Sequence, residues 1–154
     1  MLASQPLGPE SWRVIPLFLL LFIGMWVMVS FIISKVGWNT FATRYPARSK
    51  PAGKSFTSSR TWFGTYLAGY RNVVRVIFTD AGVYFYTAYL FRAFHSPFLV
   101  PWDKVKRIEK YKVFFGFQYD LDINDGLGEI HAVLPASAEH DLRKYANSIL
   151  PTPG

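Results

Sequence analysis

From Val14 to Ser34 the chain reads VIPLFLLLFIGMWVMVSFIIS, 21 residues without a charge, bounded by Arg13 and Lys35. A helix of about 20 apolar residues spans the roughly 30 Å hydrocarbon core of a bilayer, and only a helix or a closed barrel satisfies its own backbone there. Trp12 and Trp38 flank the run at positions that suit the aromatic belts of the two interfaces. Pro16 falls in the first turn, where its missing N–H costs little. A cleaved signal peptide needs a basic start, a shorter apolar core and a small-residue cleavage site. Here the first 12 residues carry only Glu10, the apolar run is longer, and no A-x-A pattern follows. The segment 14–34 is therefore expected to be a transmembrane anchor, with 1–13 as an extramembrane N-terminal segment.

Flanking charge sets the expected orientation. Between Lys35 and Thr79 lie eight basic residues (Lys35, Arg44, Arg48, Lys50, Lys54, Arg60, Arg71 and Arg75) and no acidic one, whereas Arg13 is balanced by Glu10 on the other flank. The positive-inside rule places the N-terminus outside and the C-terminal part in the cytoplasm, so a single-pass protein of a cell's inner membrane is expected. The chain has no cysteine, which excludes disulfides and thiolate metal sites.

Beyond the anchor, GWNTFATRY sets Trp38, Phe41, Ala42 and Tyr45 on one face of a short helix that Pro46 would end. Two readings of that face stand side by side: a helix lying among lipid headgroups, or a first helix packed on the soluble domain. PARSKPAGKSFTSSR follows as a linker by composition, so 35–60 is expected to be a basic juxtamembrane helix and linker. From Thr61 the pattern turns to strands. NVVRVIFT and VYFYTAYL flank Asp80-Ala81-Gly82 as a hairpin over Asn72–Thr79 and Val83–Leu90, and FLVPW is a further strand with Phe98, Val100 and Trp102 facing inward. In VFFGFQYDLDI, Val113, Phe115, Phe117, Tyr119, Leu121 and Ile123 alternate with a mostly polar face, the period of a half-buried strand. NDGLGE turns the chain and IHAVL returns it. Ser137 is expected to cap a last helix with Ala138, Leu142, Tyr145, Ala146 and Ile149 on its apolar face, and Pro151 to stop it, leaving 151–154 as a tail.

The order of VIFTDAGVYF, then FRAFHSPFLVPWDKVKRIEK, then alternating strands and a closing helix resembles PH-like domains of the GRAM and bacterial PH type. More narrowly, it is similar to small single-pass bacterial membrane proteins that carry such a domain. The resemblance covers Thr61 to Leu150. It implies an α+β fold: one transmembrane helix, then a small mainly antiparallel β domain over 61–150 closed by an amphipathic helix. It brings no shared catalytic residues. Better-known members bind phosphoinositides or proteins, but no lipid-binding signature matches here residue by residue.

Asp120, Asp122 and Asn124 match the first three ligands of a calcium loop, yet Asp125 stands where glycine is needed and His131 where the bidentate glutamate belongs. His95, His131 and His140 lack metal-ligand spacing. No phosphate-binding glycine loop or serine elbow is present, and no nucleic-acid reader motif accompanies the net charge of +7. No enzyme activity, cofactor or metal is expected. Two functions remain. The first is a non-catalytic accessory subunit that packs its helix in, and docks its domain on, a larger integral membrane complex, for instance a respiratory or photosynthetic one. The second is a membrane-surface module that binds anionic headgroups through the PH-like domain and basic segment. The residues expected to meet membrane or partner are Trp12, Gly24, Trp38, Phe41, Tyr45, Arg44, Arg48, Lys50, Lys54, Lys104, Lys106 and Arg107. For the run DKVKRIEK the plainer reading is a solvated strand face.

Overall fold

The apolar run does not end its helix at the first lysine. In the computed structural model, which describes residue 8 and residues 11–64 and 69–150, helix α1 (Ser11–Ile33) continues through a π turn (Ser34–Trp38) into α2 (Asn39–Arg44). Trp12–Arg44, 33 residues, is long and apolar enough to cross a membrane. Most of α1 is exposed, including Phe18, Leu20 and Phe22. A stripe is not: Trp26 is half-buried, and Ser30, Ser34, Gly37, Trp38, Phe41 and Ala42 are buried on the side facing the rest of the chain. A π turn is wider than an α turn, closing i to i+5, and it rotates Ser34 and Trp38 together onto that side. Tyr45 leaves the helical region at φ −125° ahead of Pro46, as the steric demand of a following proline requires.

Among the described residues nine strands follow: β1 (Ser55–Thr57), β2 (Arg60–Phe63), β3 (Gly69–Tyr70), β4 (Val74–Thr79), β5 (Gly82–Thr87), β6 (Phe98–Pro101), β7 (Val105–Val113), β8 (Gly116–Asn124) and β9 (Glu129–Pro135); helix α3 (Glu139–Ala146) closes the domain. They form two antiparallel sheets, ordered β1-β4-β5-β6 and β3-β2-β9-β8-β7. β1 pairs with β4, while β2, two residues on, pairs with β3 and β9. The chain thus steps from one sheet to the other at Ser58-Ser59. The architecture is α+β: a long apolar helix, antiparallel sheets, then a helix.

Several boundaries differ from expectation. β1 and the start of β2 lie inside the stretch expected to be linker, because Phe56 is a core residue and Ser58 is buried by hydrogen bonds to Arg60 O and Val133 O. β5 ends at Thr87 rather than Leu90, and Tyr89–Phe94 is a 3-10 helix. VFFGFQYDLDI divides at a two-residue turn, Phe114-Phe115, because Gly116 takes φ +96°; Phe114 and Phe115 project into solvent, and burial alternates only from Tyr119 onward. Trp102 sits half-buried in a 3-10 turn, stacked on Phe78 and donating Nε1–H to Thr79 O at 2.7 Å. Ser137 is exposed in a 3-10 turn and makes no cap, although Ala138, Leu142 and Ala146 are buried. Glu10, the segment ahead of the helix apart from Gly8, and the tail with Pro151 lie outside the described residues.

The core between the sheets runs from Phe56, Phe78 and Val76 to Leu121, Ile123, Ile130 and Leu134. One end is filled by α3, the other by the C-terminal turns of the long helix. There Trp38 is fully buried, with its ring 4.9 Å from Phe98 and 5.5 Å from Phe63, and its Nε1–H reaches Ser96 O at 2.8 Å. Phe41 stacks at 5.9 Å on the same Phe98. Burying each such ring contributes about 1.5–3 kcal/mol. Arg44 adds a 2.7 Å ion pair to Asp125 in the β8–β9 turn, and Tyr45 donates to the same carboxylate at 3.1 Å. Burial raises the Asp125 carboxyl, but the Leu127 N–H, Arg44 and Tyr45 outweigh it and hold it below its ordinary range.

Candidate membrane-surface site

The linker after α2 is folded down rather than free. Ala47 N–H donates to Pro97 O at 3.3 Å and Leu99 N–H to Tyr45 O at 3.0 Å. Residues 46–51 therefore cross the outer face of the four-stranded sheet, where Ile77, Tyr84 and Tyr86 form a small second cluster against Ala47 and Leu99. Between linker and sheet lies a cleft of ≈350 Å³ whose lining includes Arg48, Lys50, Arg92, Tyr84, Tyr86 and His95, and no carboxylate. Lys50 Nζ stands 4.7 Å over the Tyr86 ring. Burial raises the Tyr86 phenol, yet hydrogen bonds from Ser55, Arg75 and Lys50 outweigh it and leave it below its ordinary value. Three cationic side chains converge with two phenols, an arrangement suited to a phosphate-bearing anion.

His95 closes the floor. It is buried, with Nδ1 2.8 Å from Phe91 O and Nε2 2.9 Å from the Tyr70 hydroxyl. A carbonyl only accepts, so Nδ1 carries the proton, and Tyr70 donates to Nε2. Burial lowers the His95 pKa from its ordinary 6.5, outweighing the bond to Phe91. The unfolded chain then takes up this proton first as pH falls, so folding stability is complete above pH 6.5 and is lost progressively below it. Thermal unfolding of the detergent-solubilised chain should show a lower Tm on acidification through that value. His95→Asn, which keeps a donor for Phe91 O, should flatten the dependence; an unchanged slope would assign it to other groups.

The expected contact residues divide. Arg48 and Lys50 share the cleft with Arg92, which the sequence reading did not single out. Trp38 and Phe41 are buried inside the chain's own core, so they meet neither lipid nor partner; of the two readings of GWNTFATRY, packing on the domain is the one seen. Arg44 is engaged by Asp125, and Tyr45 is half-buried beside it. Lys54 lies over the Phe56 ring at 5.3 Å. Trp12 is exposed, with Arg13 5.4 Å over its ring, and Gly24 faces open space. The run on β7 is largely neutralised: Arg107 pairs with Asp122 and Glu109, Lys104 with Asp103, and Lys110 with Glu139. Glu139 is drawn down to about 2, chiefly by the hydrogen bonds it accepts from Arg143. Lys106 and Lys112 are the exposed cations of that strand with no ion pair among the described residues.

Asp120, Asp122 and Asn124 lie along β8, and both Asp125 oxygens are taken, Oδ1 by the Leu127 and Gly128 amides and Oδ2 by Arg44 and Tyr45. No group of three metal-ligating side chains occurs among the described residues. No family model, curated protein or solved structure matches the chain.

Proposed function

We propose that the chain is a non-catalytic, single-pass membrane protein whose cytoplasmic PH-like domain holds anionic phospholipid headgroups in the cleft of Arg48, Lys50 and Arg92. The observation that carries this reading is a carboxylate-free cationic cleft beside a segment that packs on the apolar helix. Two features favour the PH-like assignment: two antiparallel sheets with β1–β2 stepping between them, and the closing helix. Each basic residue near an anionic surface contributes about 1 kcal/mol. Arg48→Glu/Lys50→Glu should therefore weaken binding at least roughly tenfold, while sparing a fold to which exposed charges contribute little.

The test is native mass spectrometry of the delipidated, detergent-solubilised chain titrated with phosphatidylglycerol or phosphatidylcholine. The wild type should retain the anionic lipid preferentially, the cleft variant should lose that preference, and Lys104→Glu/Lys106→Glu/Arg107→Glu should keep it. Equal retention of both lipids by the wild type would remove the proposal. The orientation rests on the eight-to-none charge bias after the anchor. A cysteine at exposed Ala52 should resist an impermeant maleimide in intact cells, and ready labelling would invert the topology.

The accessory-subunit reading is favoured by a different observation. Phe114 and Phe115 are 92% and 89% exposed at the end of β8 opposite Asn124, and so face away from the loop that meets α2. Mild-detergent extraction and native mass measurement test it: co-migration with a larger complex, lost on Phe114→Ser/Phe115→Ser, supports it, and a monomer in both cases removes it.

A further inference from the structure

Tyr89 and Leu90 were expected to end the strand Val83–Leu90, yet the 3-10 segment Tyr89–Phe94, YLFRAF, has no buried residue. Tyr89 is 84% exposed and Leu90 71%. What it touches is the apolar helix: Phe91 lies 5.5 Å from the Trp26 ring, and Phe94 meets Phe31 edge-on at 5.5 Å. Trp26 and Phe31 precede Lys35 by nine and four residues. At 1.5 Å per residue the segment reaches roughly 6 to 14 Å along the helix from its first charge, into the stretch that would occupy hydrocarbon.

We infer that Tyr89–Phe94 is a second membrane element, a wedge that the β domain inserts into the same leaflet the helix crosses. The inference rests on the transmembrane reading above. Its occupant is the bilayer, because the depth is set by contact with the apolar helix and because Tyr89 and Leu90 project from the segment at that depth. The backbone suits the environment, where unsatisfied polar groups are costly. Phe91 N–H donates to Ala88 O at 3.0 Å and His95 N–H to Arg92 O at 3.3 Å. The Phe91 carbonyl accepts from the His95 ring. Ala88 N–H is tied back to Val73 O at 2.9 Å, so the wedge springs from the sheet itself. The single charge, Arg92, lines the cationic cleft rather than the apolar side, the placement expected of an arginine whose head stays at the headgroup level. Helix and wedge would hold the domain against the bilayer at two points and keep the cleft beside the lipid surface.

The absence of cysteine makes depth measurable on the full chain. Single cysteines at Leu90, Phe22 and Phe115, each carrying an environment-sensitive fluorophore, would be reconstituted in liposomes containing lipids with quenchers distributed along the acyl chain. Leu90→Cys should show blue-shifted emission and at least half the quenching seen at Phe22→Cys, with Phe115→Cys unquenched. Quenching at Phe22→Cys without quenching at Leu90→Cys would overturn the wedge while leaving the anchor intact, and this includes the case in which another protein copy shields the site. Failure at Phe22→Cys would overturn the transmembrane reading and the wedge with it.

Discussion

Trp38→Ala should cost about 3–5 kcal/mol, the range for deleting a large aromatic from a packed core. That is a large part of the 5–15 kcal/mol that holds a typical domain folded. The ring contacts Phe63, Tyr70, His95 and Phe98 at once, and its Nε1–H is the partner of Ser96 O. Its removal therefore opens a cavity and leaves a carbonyl unpaired. Because Trp38 belongs to the helix and its neighbours to the sheets, the variant should loosen the joint first. The measurements are denaturant unfolding of the detergent-solubilised chain and limited proteolysis after residue 45. Trp38→Phe should recover most of the packing and lose only the hydrogen bond, about 1 kcal/mol. Wild-type stability for Trp38→Ala would mean that the helix does not fill the end of the core.

The features that were legible in the sequence are those with a periodicity. The 21-residue uncharged run gives the long helix, the alternation Tyr119–Leu121–Ile123 gives β8, and the spacing of Ala138, Leu142 and Ala146 gives the last helix. Trp38 and Phe41 were placed on the right face of their helix; periodicity identifies which residues share a face but not what covers it, so membrane and domain remained equal choices. Charge proved less legible than hydrophobicity. DKVKRIEK looks basic in one dimension, but Asp122 across on β8 and Glu139 on α3 neutralise much of it. PARSKPAGK looks like a free linker, yet two backbone hydrogen bonds lay it over Tyr84 and Tyr86 and bring Arg48 and Lys50 to Arg92, more than forty positions away. The 3-10 helix Tyr89–Phe94 was missed because YLFRAF carries an apolar content that fits an extended strand as well as a 3-10 helix. The one local hint was its lack of period-two alternation beyond Thr87.

Glycine gives the second large effect, because two glycines of the same helix predict opposite outcomes for the same substitution. A Cβ at Gly37 would stand 2.3 Å from Phe63 Cβ and 3.1 Å from its Cγ. Neither position is the yielding tip of a side chain, so helix and β2 must separate. In a helix alanine is favoured over glycine by roughly 0.8–1.0 kcal/mol, but overpacking of this kind typically costs about 1–3 kcal/mol and more where the backbone itself must move. Gly37→Ala should therefore destabilise the docked domain, expose Trp38 to quenching and increase cleavage after residue 45. At Gly24 nothing lies within 4 Å of an added Cβ. Gly24→Ala should leave the domain unaltered and hold the helix at least as firmly. Gly24→Leu extends the comparison outward: a lone anchor tolerates it, whereas a helix packed closely on a partner at that glycine loses the association. Measuring all three variants for domain stability and for co-purification separates the contact inside the chain from any contact beyond it. If Gly37→Ala matches the wild type, the helix and the sheets are not joined at Phe63.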